Sequence, residues 1–145
     1  MNASFEILLV EDEHLILEVA HDALEHAGYH VHVARCGLDA LDLMSRLAPG
    51  LSGLVTDIRL GQGPNGWEVA RHARRTHPEI AVVYMTGDSA GDWHREGVSH
   101  SVVMQKPFVM TRIVTALTDL LSRPGIVTAR SADRQAACDA LREAK

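Results

Sequence analysis

Cysteine is nearly missing from this chain: Cys36 and Cys138 are its only two in 145 residues. Neither sits in a CxxC or a Cys/His ligand spacing, which sets aside a disulfide framework and a zinc finger and leaves two reduced thiols. Long apolar runs are missing too. The earliest, Ile7–Val10, falls far short of the roughly 20 residues of a membrane span, and Met1–Glu6 ahead of it lacks the basic start of an export signal. Positive charge is in deficit, with 14 Lys and Arg against 19 Asp and Glu and a formal charge of -5. There is no basic run, so neither a nucleic-acid backbone nor an anionic membrane surface is an expected partner. A cytoplasmic location is expected. Aromatics are sparse at 4%, and no internal repeat or low-complexity segment appears. The length suits one domain with a sizeable core.

What the chain does have is short apolar runs ending in polar groups. Leu54-Val55-Thr56-Asp57 is bounded by Pro49, Gly50 and Gly53 on one side and by Gly61, Gly63 and Gly66 on the other, and reads as a strand buried on both faces. Ile7–Val10 ends in Glu11-Asp12-Glu13. Ala81–Met85 delivers Thr86, and Val102–Gln105 delivers Lys106-Pro107. Tyr29–Ala34 alternates Val31 and Val33 with His30 and His32, the pattern of a less buried or edge strand.

Between these runs the apolar period lengthens to that of a helix. Ile16, Val19, Ala20, Ala23, Leu24 and Ala27 predict an amphipathic helix stopped by Gly28. Leu38, Leu41, Leu43, Met44 and Leu47 predict a second, and Trp67, Val69, Ala70 and Ala73 a third within Gly66–Thr76. A weak or short helix is expected in the polar stretch Gly87–Gly97. Met110, Ile113, Val114, Leu117, Leu120 and Leu121 predict the last, over Val109–Leu121. Strands alternating with helices of this length imply βαβ units, hence an α/β fold with a doubly wound, five-stranded parallel sheet and helices on both faces. The domain is expected over 5–123. Residues 124–145 form a C-terminal tail, where Ser131 could cap a short helix.

In such a sheet the carboxyl ends of the strands open onto a crevice where ligands bind. Glu11, Asp12, Asp57, Thr86 and Lys106 all belong to that rim. Carboxylates crowded together repel unless a cation compensates, and a hard ion such as Mg²⁺ takes one or two carboxylates, a carbonyl, a phosphate oxygen and waters. An aspartate in line with a phosphoryl donor can act as nucleophile. Mg²⁺ and the Lys106 ammonium would neutralise charge on the phosphoryl oxygens, with the Thr86 hydroxyl adding a directional hydrogen bond.

The ordered set closely resembles the receiver domain of two-component response regulators, over about residues 5 to 123: an acidic pair after the first strand, Asp after the third, Thr after the fourth, Lys-Pro after the fifth. The resemblance implies a CheY-like fold with strand order 2-1-3-4-5. It makes Asp57 the phosphoacceptor, Asp12 a direct Mg²⁺ ligand, Glu11 a ligand through water and the Arg59 backbone carbonyl a further ligand. Thr86 becomes the switch hydroxyl and Lys106 the phosphoryl contact, with a cis peptide between Lys106 and Pro107. The implied partners are a sensor histidine kinase or a histidine phosphotransfer protein and an unidentified downstream protein. The implied role is a signalling switch or phosphorelay shuttle, monomeric or weakly dimeric, rather than an enzyme.

Three positions depart from the family pattern. Val103 stands where many receivers carry an inward-rotating Tyr or Phe. The loop after Asp57 is glycine-rich and long, and the stretch from Thr86 to Lys106 is short, which implies a reduced fourth helix. The competing reading is a metal-dependent phosphohydrolase using the same Asp nucleophile. Haloacid-dehalogenase-like phosphatases carry a second acid two residues after it, where this chain has Arg59. The nine histidines are read as solvated surface groups, Trp67 and Trp93 as packing or surface aromatics, and an exposed Trp93 as a partner contact.

Overall fold

The computed structural model describes residues 5–47, 50–106 and 110–122. Five strands, β1 (Glu6–Val10), β2 (His30–Ala34), β3 (Leu51–Asp57), β4 (Ala81–Thr86) and β5 (Ser101–Gln105), alternate with α1 (His14–His26), α2 (Gly37–Leu47), α3 (Gly66–Thr76), α4 (Trp93–Glu96) and α5 (Met110–Leu121). All neighbouring strands run parallel, in the order β2-β1-β3-β4-β5.

Side chains alternate across a strand, and both faces of this sheet are covered, so the central strands are apolar throughout. Leu8 and Val10 of β1, Leu54 of β3, and Val82 and Tyr84 of β4 pack with Ala40 and Met44 of α2 and Trp67, Val69, Ala70 and Ala73 of α3. Ile7, Leu9, Val55, Val83 and Met85 face the other way, against Leu17, Ala20 and Leu24 of α1 and Ile113, Ala116 and Leu117 of α5. Each fully buried aliphatic side chain contributes about 1.5–3 kcal/mol, and the two layers hold the sheet as a rigid platform. β2 and β5 are its edges, as the alternation of Val31 and Val33 with histidines implied for β2.

The helical faces differ from the periodicity in places. On α1 the buried stripe is Leu17, Ala20 and Leu24, while Val19 and Leu15 face solvent at 52% and 74% exposure. On α2 the buried residues are Gly37, Ala40 and Met44, and Leu38 is 64% exposed. α3 begins with a full capping box: the Asn65 side chain accepts from Glu68 N–H, and the Glu68 carboxylate accepts from Asn65 N–H. Gly28, at φ 102, ends α1.

The region expected to hold a weak helix has a 3-10 turn, Ala90–Asp92, and one turn of α4. It is pinned from outside. Tyr84 Oη accepts from Val98 N–H at 3.1 Å, Arg71 donates to the Glu96 carbonyl and carboxylate, and Arg74 donates to the Ser99 carbonyl at 2.7 Å. Trp93 is half-buried rather than exposed: its indole N–H donates to Ser101 Oγ at 2.9 Å, which donates on to the Val98 carbonyl. His77 also departs from the surface reading, being 7% exposed with Nδ1 hydrogen-bonded to Thr76 Oγ1. The expected Lys106–Pro107 cis peptide, the first residue of the expected last helix, Cys138 and the tail all lie outside the described residues. Cys36 is a free thiol. Among the described residues no helix is long and apolar enough to cross a membrane.

Candidate acidic site at the strand ends

The register fixes the rim. Val10 pairs with Thr56, Asp57 with Met85, and Thr86 with Gln105, so β1, β3, β4 and β5 end side by side. Two backbone bonds stitch the loops that leave them: Ile58 N–H donates to the Met85 carbonyl at 3.1 Å, and Lys106 N–H to the Thr86 carbonyl at 2.7 Å.

Glu11, Asp12 and Asp57 converge there, each presenting a carboxylate oxygen within 4.8 Å of the others. Their burial differs. Glu11 is fully buried and Asp57 is 7% exposed, whereas Asp12 is open to solvent. Asp57 Oδ1 accepts from Ile58 N–H at 2.8 Å, and Oδ2 accepts from Lys106 Nζ at 3.2 Å. Glu11 Oε2 accepts from Glu13 N–H at 3.0 Å. Its other oxygen, Oε1, is buried without a hydrogen bond; the nearest cation is Lys106 Nζ at 3.6 Å, an ion pair too long for one.

The electrostatics follow from this crowding. Burial, reinforced by the Asp57 charge, pushes the Glu11 carboxyl up to about 7. Burial pulls the Lys106 ammonium down, but Asp57 and Glu11 together outweigh it and raise its pKa. One ammonium faces two enclosed acids, so the pocket is short of positive charge.

Thr86 is buried, and its Oγ1 accepts from Ser89 N–H at 2.8 Å and from Asp88 N–H at 3.2 Å. A hydroxyl has two acceptor sites and one proton; both acceptor sites are occupied by the loop, which leaves the proton to donate. Arg59 is exposed, and its guanidinium grips Asp88 with two bonds of 2.9 Å, Nε to Oδ1 and a terminal nitrogen to Oδ2. That fork joins the loop after β3 to the loop after β4, a link invisible from either segment alone. Val103 pairs with Tyr84 and packs against the core. The aromatic that the sheet itself buries in this layer is Tyr84 on β4, with its hydroxyl already engaged by Val98.

Gly66, expected as a strand-bounding glycine and a helix start, has a closer tie to the site. A Cβ there would lie 2.1 Å from the Asp57 carbonyl oxygen and 2.8 Å from Ile58 Cα, and Gly66 N–H donates to the Ile58 carbonyl at 2.8 Å. The long loop is thus folded back under the acid that precedes it. The pattern of a glycine just after an Asn cap was the available signal.

Comparison with known proteins agrees with this geometry. The family model for the response regulator receiver domain matches residues 7–118. A sensor kinase CckA of Brucella abortus is 28% identical over 125 residues, covering 85% of this chain and 13% of that protein. A response regulator MprA of Mycobacterium bovis is 28% identical over 129 residues, covering 83% of this chain and 52% of that protein. The chain thus spans at most about half the length of these relatives. A response regulator receiver protein from Sinorhizobium medicae superposes with a TM-score of 0.78 at 36% identity, covering 81% of this chain and 94% of that structure. The receiver domain of the hybrid histidine kinase CckA shares the fold at 24% identity, with a TM-score of 0.69 and coverage of 81% and 99%. By family match and strand order alike, this chain belongs to the response regulator receiver domains of two-component signal transduction.

Proposed function

We propose that the chain takes a phosphoryl group onto Asp57 from a phosphohistidine of a sensor kinase or phosphotransfer protein. The observation that carries this is Asp57 itself: a nearly buried carboxylate, 3.2 Å from the Lys106 ammonium and within 4.8 Å of two other acids. In the transfer, the bond that forms joins an Asp57 oxygen to phosphorus, and the bond that breaks joins phosphorus to the donor's ring nitrogen. Lys106 draws charge from the phosphoryl oxygens, and the free proton of Thr86 donates to one of them once the side chain leaves the loop amides.

The donor set fits Mg²⁺. It is all oxygen, it carries excess negative charge, and the orphaned Glu11 Oε1 marks where a positive group is wanted. Asp12 and Asp57 would hold the ion directly, Glu11 through water, and the Arg59 backbone carbonyl would complete the protein's share. Bound there, Mg²⁺ offsets the repulsion of the acids and of the incoming phosphoryl group.

Multiple-turnover hydrolysis is a poorer fit. The residue two after Asp57 is Arg59, always cationic and occupied by Asp88, so no general acid or base stands where that chemistry needs one. The output is a change of protein surface around the β4–β5 segment or onward transfer of the phosphoryl group, in a domain spanning 5–123.

Incubation with acetyl phosphate and Mg²⁺ tests the assignment by intact mass. The wild type gains one phosphoryl group and Asp57→Asn gains none. Uptake at wild-type stoichiometry by Asp57→Ala overturns it. Transfer of label from the phosphorylated chain to a phosphotransfer histidine separates relay from switch.

A further inference from the structure

A second cluster of ligand-type side chains lies at the opposite end of β1. Glu6 pairs in register with His30, and His32 follows two residues along β2 on the same face. Both imidazoles meet one carboxylate: His32 Nε2 is 2.6 Å from Glu6 Oε1, and His30 Nδ1 lies 3.1 Å from Oε1 and is hydrogen-bonded to Oε2 at 3.2 Å. The rings lie side by side with centroids 4.7 Å apart. Among the described residues, two groups bring three such ligands within 4.8 Å of one another, the acidic pocket and this one.

From this convergence we infer that Glu6, His30 and His32 form a binding site for a borderline transition-metal ion, Zn²⁺ in the first instance, on the edge of the sheet. The donor chemistry separates it from the Mg²⁺ pocket. Two imidazoles and a carboxylate suit zinc and its neighbours, whereas hard Mg²⁺ prefers oxygen alone. With zinc bonds of about 2.0–2.2 Å, ligand atoms in a tetrahedron sit roughly 3.4 Å apart. The His30–Glu6 separation of 3.1 Å is close to that edge, while the 2.6 Å His32–Glu6 contact is a hydrogen bond that would open as an ion entered. One ligand atom from each of the three side chains lies within 4.8 Å of the other two, so side-chain rotation alone would suffice to bring them around an ion.

The scaffold favours it as well. All three ligands stand on paired strands of the sheet rather than on loops, which limits the ordering cost of coordination. His32 is 21% exposed and Glu6 35%, while His30 at 57% opens toward solvent. Three protein ligands with one open side leave a coordination position for water or for a donor group from a partner. The other histidine–acid contacts, His14 with Glu18 and His21 with Asp22 and Glu25, offer one imidazole each. The inference stands independently of the reading of Asp57.

The test is calorimetric titration of chelator-treated protein with ZnCl₂ in excess Mg²⁺, which keeps the acidic pocket occupied. One equivalent is expected to bind, with the imidazole NMR signals of His30 and His32 shifting together. His30→Ala, His32→Ala and Glu6→Gln each weaken binding about tenfold or more, while His14→Ala and Asp57→Asn leave it unchanged. His30 and His32 sit on an edge strand, so circular dichroism of each variant confirms that the fold persists. Absence of stoichiometric zinc binding by the wild type, or unchanged affinity in His30→Ala/His32→Ala, overturns the inference.

Discussion

Glu11 places an acid where β1 would otherwise continue its aliphatic run, and the penalty has a sign that can be measured. Its pKa stands at about 7 in the folded chain against 4.5 for the free group. Between those values the folded state holds a proton the unfolded state has released, so stability is full below about pH 4.5 and falls as pH rises toward 7. At about 1.4 kcal/mol per unit, the loss is on the order of 3 kcal/mol at most. Metal-free wild type should therefore melt lower at pH 8 than at pH 5.5, and Glu11→Gln should remove most of that difference. Gly66 makes a second prediction. A methyl group 2.1 Å from the Asp57 carbonyl cannot be housed without moving β3 or α3, so Gly66→Ala should cost a few kcal/mol. Denaturant midpoints would show it, together with weakened phosphorylation, since the displaced backbone carries the acceptor. Asp57, Thr86 and Lys106 were legible in the sequence because each ends an apolar run. The trio of Glu6, His30 and His32 was not: it depends on pairing between strands 24 residues apart, and a sequence shows spacing within a strand but not register across two.

The strands and most helices followed from bounded apolar runs and their period, and so did much of the inward faces of α1 and α2. Ala20, Leu24 and Met44 are buried and Leu41, Leu43 and Leu47 pack against the core, whereas Val19 and Leu38 face solvent. Period marks which residues share a stripe, but Leu15, Val19 and Leu38 are apolar and exposed while the smaller Ala20 and Ala40 are buried. Close helix–sheet approach houses the small side chains of Ala20 and Ala40 beside the larger buried Leu17, Leu24 and Met44. α4 is short because Gly87, Gly91 and Gly97 interrupt a polar stretch with no apolar stripe to bury. Hydrogen bonds from its neighbours hold the segment beside the packing of Trp93 and Val98 on the core, and Tyr84 is its anchor. Tyr84→Phe keeps the ring and removes the acceptor for Val98 N–H, at a cost of about 1–3 kcal/mol for the stranded donor. Hydrogen exchange should show the Val98 amide losing protection while β1 and β3 keep theirs. At the start of α3, Asn65→Ala should cost about 1 kcal/mol through loss of the cap, read as a lower midpoint with an unchanged denaturant slope.

For the molecule as a whole, the doubly wound parallel sheet was legible from the alternation of elements, while its strand order came from the resemblance to receiver domains. Its consequence is that ligand and fold are coupled through one platform. An ion that binds the folded rim and not the unfolded chain stabilises the whole domain. At a hundredfold excess over its Kd, Mg²⁺ should add about 2.7 kcal/mol, seen as a rise in Tm that disappears in Asp12→Ala/Asp57→Asn.

The indole of Trp93, bonded to Ser101 at the start of the edge strand, turns the segment between β4 and β5 into an optical gauge. The chain has one other tryptophan, Trp67, packed against Tyr84 with ring centroids 4.6 Å apart and planes tilted by 58°. With Trp67→Phe, all indole emission comes from the segment that Thr86 anchors. Its colour and intensity should then change on adding acetyl phosphate and Mg²⁺ and stay constant in Asp57→Asn, timing the response without any attached dye.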